Sequence, residues 1–180
     1  MHRNYVAFLA LGIASIVTPA HAELAVGAPA PDFYVQAAKG GEAAEFSLSQ
    51  ALKNGPVVLY FFPKAFTQGC TIEARNFAEA IPAYQALGAT VVGVSGDDIA
   101  TLKRFSVSEC QGKFAVAADD SGKVITAYDA ASAFSPTSAQ RVSYVITPDS
   151  KVLYAHHDMS PDKHVANTLQ ALRDWKTAQK

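Results

Sequence analysis

The chain has 180 residues, 49% of them hydrophobic, and a formal net charge of −1 from 15 basic and 16 acidic side chains. That length suits one domain with a sizeable core. The near-neutral balance, without a basic stripe, an RNA-binding aromatic signature or zinc-finger spacing, argues against a nucleic-acid partner.

The N-terminus reads as a secretory leader. Met1-His2-Arg3 is a short positive start, Tyr5 to Val17 an apolar run, and Ala20-His21-Ala22 a small-x-small cleavage site. The run is too short to cross a bilayer comfortably, a retained anchor being the alternative. The expected organisation is therefore a cleaved leader over residues 1–22 and a single domain over 23–180. The mature protein is expected outside the cytoplasm, in a periplasm, without membrane association.

In chain order, the prolines of "APAPD" (28–32) lead into a short strand at Phe33 to Ala37. A turn follows, then a strand near Phe46 and a helical turn at Leu48 to Leu52. "PVVLYFF" (56–62) is a continuous apolar run of the kind a strand buried on both faces needs. Beyond Pro63 the spacing of Ile72, Phe77, Ile81, Tyr84 and Leu87 predicts one inward face of a helix, bent at Pro82 and ended by Gly88. "ATVVGVS" (89–95) predicts a second buried strand, and Asp97-Asp98 open a helix to about Ser108. "KFAVAAD" predicts a third strand and "SGKVITAYD" a helical turn or two. "RVSYVI" and "KVLYAHH", joined by "TPDS", predict a hairpin. A final helix from about Pro161 to Lys176 turns Val165, Leu169 and Leu172 inward. Strands alternating with helices, then a hairpin and a helix, predict an α/β fold: a thioredoxin-like central mixed β-sheet flanked by helices.

Cys70 lies where the chain leaves a central strand and enters a helix, the strand end at which sites of open α/β sheets collect. A helix N-terminus offers unpaired N–H groups and a partial positive charge, both favourable to a thiolate. Thr67, three residues earlier, is placed to cap that helix. A small buried cysteine explains the position equally well.

The surrounding residues resemble a family. Pro63-x-x-x-Thr67-x-x-Cys70 resembles the peroxiredoxin motif, and "YFFPKAFTQGCTIEARNF" is similar to the bacterioferritin-comigratory, or Q-type, form "YFYPKADTPGCTKEACNF". "GAPAPDF", "VVGVSGDD", "AADDSGKVITAYD", Arg141 in "QRVSYVITPDSKVL" and "PDKHVANTLQAL" extend the resemblance over nearly all of the chain beyond the leader. It implies a peroxidase in which the Cys70 thiolate attacks a peroxide and becomes a sulfenic acid. A thiol of ordinary acidity is about 3% ionised at neutral pH, so full ionisation gains only about thirtyfold in reactive species, around 2 kcal/mol. Stabilisation of the breaking oxygen–oxygen bond must supply the rest. The resemblance assigns that task to Thr67 and Arg141, shielding of the sulfur to Pro63, and orientation of the arginine to Glu73. Outside the family, Pro63 reads as a strand end, Thr67 as a cap, Glu73 as a first-turn acid and Arg141 as a surface charge. No cofactor or metal is implied. The implied partners are a peroxide and a thioredoxin-like thiol reductant, and the implied assembly is a monomer or weak homodimer.

The chain departs from the family form at Phe66, where an acid is usual, at Gln68, where proline is usual, and at Arg75, where many members keep a resolving cysteine. An apolar Phe66 suggests a preference for organic hydroperoxides. Cys110, near the end of the helix after the second strand, is the expected resolving cysteine, forming an intramolecular disulfide with Cys70. An inert thiol in a one-cysteine enzyme and a structural disulfide stay open. A different class of reading is a thioredoxin-fold copper chaperone of the SCO type. It lacks its second thiol, because Thr71 to Ala74 follow Cys70, and His156-His157 read as surface residues on opposite sides of a strand. His164 is read as a first-turn residue of the last helix without a catalytic role.

Overall fold

The computed structural model describes residues 23–179; the leader reading, on residues 1–22, lies outside them. A seven-stranded sheet forms the middle layer, in the order β2-β1-β5-β4-β3-β8-β9. Its strands are β1 (Tyr34–Lys39), β2 (Glu42–Ser47), β3 (Val57–Phe61), β4 (Thr90–Ser95), β5 (Ala115–Ala118), β8 (Val142–Ile146) and β9 (Val152–His157). Strands β3, β4 and β5 run parallel, while β8 pairs antiparallel with β3, so the sheet is mixed. A small second sheet pairs β6 (Ala131–Ser132) with β7 (Ser135–Ala139).

The apolar run before Pro63 explains the layering. Successive side chains of a strand face opposite ways, and every residue of β3 is buried. Val58, Tyr60 and Phe62 enter a core with the helices α2 (Gln68–Ala86), α3 (Ile99–Ser108) and α5 (His164–Ala178). Val57, Leu59 and Phe61 enter the other core, under α1 (Leu48–Leu52) and α4 (Lys123–Ala127).

Helix α2 carries the most informative difference from the expected pattern. Its buried stripe is Cys70, Glu73, Ala74, Phe77, Ala78, Ile81 and Tyr84, whereas Ile72 is 40% exposed. The stripe takes a carboxylic acid, Glu73, as one of its inward residues, which hydropathy alone rejects. The helix continues through Pro82 and ends in a Schellman turn: Gly88 at φ 76° donates to the Gln85 carbonyl, and Ala89 to that of Tyr84. Helix α5 begins at His164 rather than Pro161, and β1 runs two residues past Ala37.

Candidate active site

Residues 63–67 link β3 to α2 and form the rim of the site. The Ala65 N–H donates to Asp97 Oδ2 at 2.7 Å, tying the loop to the end of β4, where Ser95 Oγ donates to the same oxygen at 3.0 Å. Phe66 holds φ 66°, a left-handed conformation unusual for a bulky side chain. Its half-exposed ring packs edge-on against Phe105 of α3, with centroids 5.3 Å apart. Thr67 occupies the N-cap position, but its hydroxyl makes no cap. It donates instead to the Lys64 carbonyl at 2.9 Å, so its lone pairs face outward from an exposed residue. The capping expectation is thus corrected: the hydroxyl is turned toward the Lys64 carbonyl and accepts no N–H of the helix's first turn.

Cys70 is the third residue of α2, within the turn whose N–H groups lack intrahelical acceptors, and is 1% exposed. Arg141, next to β8 and 4% exposed, converges on it from the neighbouring strand. Its Nη2 donates to Cys70 Sγ at 3.5 Å, its Nε to the Met159 carbonyl at 3.0 Å, and its Nη1 to Glu73 Oε2. Burial opposes the charge of Arg141, yet Glu73 and Cys70 hold the guanidinium above its ordinary value, so it stays cationic. Burial pushes the fully buried Glu73 carboxyl up to about 8, against the pull of Arg141. The environment is therefore a fixed positive group, hydrogen-bonded on three sides and aimed at a sulfur in a dry pocket.

Pro63 opens the loop at the end of β3. With Phe134, Ala139, Gln140 and Met159 it lines a largely apolar groove of about 480 Å³. Phe134 is 99% exposed there. Cys110 shares the core cluster of Cys70, Tyr60 and Phe105, and both cysteines are free thiols. Burial, reinforced by Glu109, pushes the Cys110 thiol well up. Among the described residues, no group of three or more His, Cys, Asp and Glu side chains is arranged to hold a metal ion.

Residues 26–155 match the AhpC/TSA family. The chain belongs to that family. Peroxiredoxin Q of Sedum lineare, a chloroplastic protein, is 32% identical over 156 residues, covering 86% of this chain and 81% of that one. The chloroplastic peroxiredoxin Q of Triticum aestivum is 33% identical over 149 residues, covering 82% of this chain, and the match spans 66% of the wheat protein's length. Peroxidoxin BcpB of Mycobacterium tuberculosis shares the fold at a TM-score of 0.76, with 28% identity, over 83% of this chain and 96% of that structure. The thioredoxin-like mixed sheet of this AhpC/TSA member agrees with the expected fold class.

Within the AhpC/TSA chain, three residues beside the motif escaped sequence reasoning. Gly69 stands where a Cβ would come within 2.9 Å of Arg141 Nη2, so a side chain there would push the guanidinium from its place against Cys70. Ser143 and His164 are fully buried, with Ser143 Oγ and His164 Nδ1 2.8 Å apart. A signal for His164 was present: counting back four residues along α5 from buried Leu172 gives Thr168 and then His164, one continuous inward stripe. His156 is half-buried against the His164 ring at 4.7 Å between centroids, and its neighbour His157 is exposed.

Proposed function

We infer that this protein is a thiol-dependent peroxidase. The observation that carries the reading is the buried Cys70 sulfur at a helix N-terminus, 3.5 Å from a guanidinium that Glu73 and the Met159 carbonyl hold in place. The Cys70 thiolate attacks the terminal oxygen of a hydroperoxide, forming the S–O bond as the O–O bond breaks. The sulfur is oxidised to a sulfenic acid, and the departing oxygen leaves with the electron pair and takes a proton as water or an alcohol. Arg141 and the Cys70 N–H stabilise charge on the peroxide oxygens as it builds. The Thr67 hydroxyl, with free lone pairs, accepts the peroxide O–H, and Pro63 limits water at the sulfur. The apolar groove beside Pro63 supports alkyl hydroperoxides as substrates along with hydrogen peroxide. Phe66, packed on Phe105 and away from the residues of that groove, is not needed for that preference.

Cys110 would then attack the sulfenic acid, expelling water and closing a disulfide, which a thioredoxin-like dithiol reduces by exchange. Its burial means that resolution requires local opening. We place the mature enzyme, residues 23–180, outside the cytoplasm after removal of residues 1–22, as a monomer or weak homodimer; the leader pattern supports the export.

The deciding experiment is the intact mass of the reduced mature protein after one equivalent of hydrogen peroxide. Loss of two hydrogens without dimerisation supports Cys70–Cys110 closure. Gain of one oxygen, trapped at Cys70 by a sulfenic-acid reagent, supports peroxidase chemistry resolved by an outside thiol. An unchanged mass defeats the peroxidase reading.

A further inference from the structure

The hydrogen-bond network behind Arg141 continues past Glu73. Glu73 Oε2 is occupied by Arg141, but Oε1 is buried without a hydrogen-bond partner, and His164 Nδ1 lies 3.7 Å from it. The protons on the His164 ring follow from its neighbours. Nε2 lies 2.8 Å from the Asp158 carbonyl oxygen, which only accepts, so Nε2 carries a hydrogen. Nδ1 of the neutral ring is then bare and accepts from Ser143 Oγ–H at 2.8 Å.

Both contacts lead back to Arg141. Ser143 is two residues along the same strand, on the face that Arg141 shares. Asp158 precedes Met159, whose carbonyl receives Arg141 Nε–H, and the Asp158 N–H donates to the Arg141 carbonyl at 3.3 Å. We propose that His164 is a positioning residue for Arg141: its neutral, Nε2-protonated ring fixes the Asp158–Met159 turn and faces Glu73 Oε1 with Nδ1, keeping the guanidinium aimed at Cys70.

Nδ1 spends its single lone pair on Ser143 Oγ–H, so Glu73 Oε1, 3.7 Å away, is buried beside the ring without a hydrogen bond to it. An ionised carboxylate oxygen left unpaired there is unfavourable, and a proton on either group relieves it. Seated on His164, that proton would make an imidazolium beside Arg141, next to β8, and His156 of β9, with Glu73 from α2 and Asp158 to offset them. Seated on Glu73 Oε1, it leaves the Arg141 guanidinium facing the Cys70 sulfur without a competing carboxylate charge. The second arrangement agrees with burial pushing His164 down to about 4 and Glu73 up to about 8. His164 thereby acts on the charge of Glu73 as well as on the geometry of Arg141.

The inference rests on Cys70 being the peroxide-reactive thiol, and the test separates the two. Sulfenic-acid formation is followed in a single turnover with hydrogen peroxide for the wild type, His164→Leu and His164→Gln, alongside their thermal unfolding midpoints. His164→Leu is expected to slow the step roughly tenfold, equivalent to about 1.4 kcal/mol. His164→Gln, whose amide both donates and accepts, is expected to recover most of the rate. A His164→Leu protein that loses thermal stability but reacts within twofold of the wild type overturns the proposal, since it shows a role in the fold alone. If that variant does not fold, ring-nitrogen NMR of the wild type and of Glu73→Gln decides. An Nε2–H tautomer whose titration midpoint moves in Glu73→Gln supports it; an Nδ1–H tautomer or an unmoved midpoint overturns it. A wild type that does not react with peroxide defeats the reading of Cys70 instead.

Discussion

Replacing Glu73 by glutamine distinguishes two electrostatic descriptions of the site that predict opposite signs. An ordinary ion pair with Arg141 would lower the carboxyl's folded-state value, and stability would rise with pH. Burial acts the other way: the folded carboxyl holds its proton from about 4.5, its ordinary value, up to about 8. The unfolded chain releases that proton above about 4.5, so the folded state binds more protons throughout the window and stability must fall as pH rises. The steepest slope is about 1.4 kcal/mol per pH unit, and the whole window bounds the effect at about 5 kcal/mol. The Glu73→Gln side chain lacks the titration but keeps the shape, with a carbonyl for Arg141. Urea unfolding of both reduced proteins at intervals from pH 5 to 9 gives the comparison. The stability of the wild type relative to Glu73→Gln is expected to decline with pH up to about 8 and then level. His164 is common to both proteins, so its titration largely cancels. Parallel curves, or a wild type that gains on the variant with rising pH, would refute the protonated-glutamate description.

The remaining expectations concern the arginine and the second cysteine. Gly69→Ala places a methyl group 2.9 Å from Arg141 Nη2, so single-turnover oxidation of Cys70 should slow about tenfold while the unfolding midpoint changes little. Arg141→Met removes the donor that faces the sulfur, and stopped-flow measurement should show a loss of about a hundredfold or more in the same step. Arg75→Ala breaks the contacts of Arg75 Nε and Nη2 with Glu109 Oε2, at 2.9 and 2.8 Å, which tie α2 to the residue before Cys110. Arg75 is mostly exposed, so the tie contributes no more than about 1 kcal/mol, and disulfide closure should quicken by at most about fivefold. Non-reducing gels of acid-quenched samples give that rate, and an unchanged rate would mean the two helix ends do not separate at this contact.

The layered fold was legible because its strongest signals are local. The seven apolar residues before Pro63 read as a two-sided strand without reference to anything else, and Gly88 marked the helix end through its backbone alone. The hairpin of β6 and β7 went unread, because "ASAFSPTSA" has no alternation and its pairing depends on tertiary surroundings, such as the approach of the Thr137 carbonyl to Gly96. In the site, Cys70, Glu73 and Arg141 do converge, as the family resemblance implied; the motif's spacing alone names only Pro63, Thr67 and Cys70. Thr67 as a cap and Ile72 as a core residue failed, and the buried hydrogen bonds of His164 went unread, for one shared reason. Each was judged on its own helix, whereas its role is set by groups on other segments: the Lys64 carbonyl, the open side of α2, and the Glu73–Ser143–Asp158 cage.

In the proposed reaction, the contacts that would sharpen the first chemical step oppose the second. Peroxide attack requires Cys70 to stay within reach of Arg141, and Glu73, one turn along α2, locks the two together. A disulfide with Cys110 requires the two Cα atoms to come within about 7 Å, with side chains turned toward each other. Both cysteines are closed off from solvent at the start. Because Glu73 is buried and bonded, unwinding of α2 is cheapest in the turn before it, where Thr67 and Gln68 are exposed and the first N–H groups have no helical acceptors. That turn contains Cys70. In that reaction Glu73 would set both the aim of the arginine and the point at which the opening of the helix stops, so that the cysteine could leave its pocket while the rest of α2 stays on the sheet.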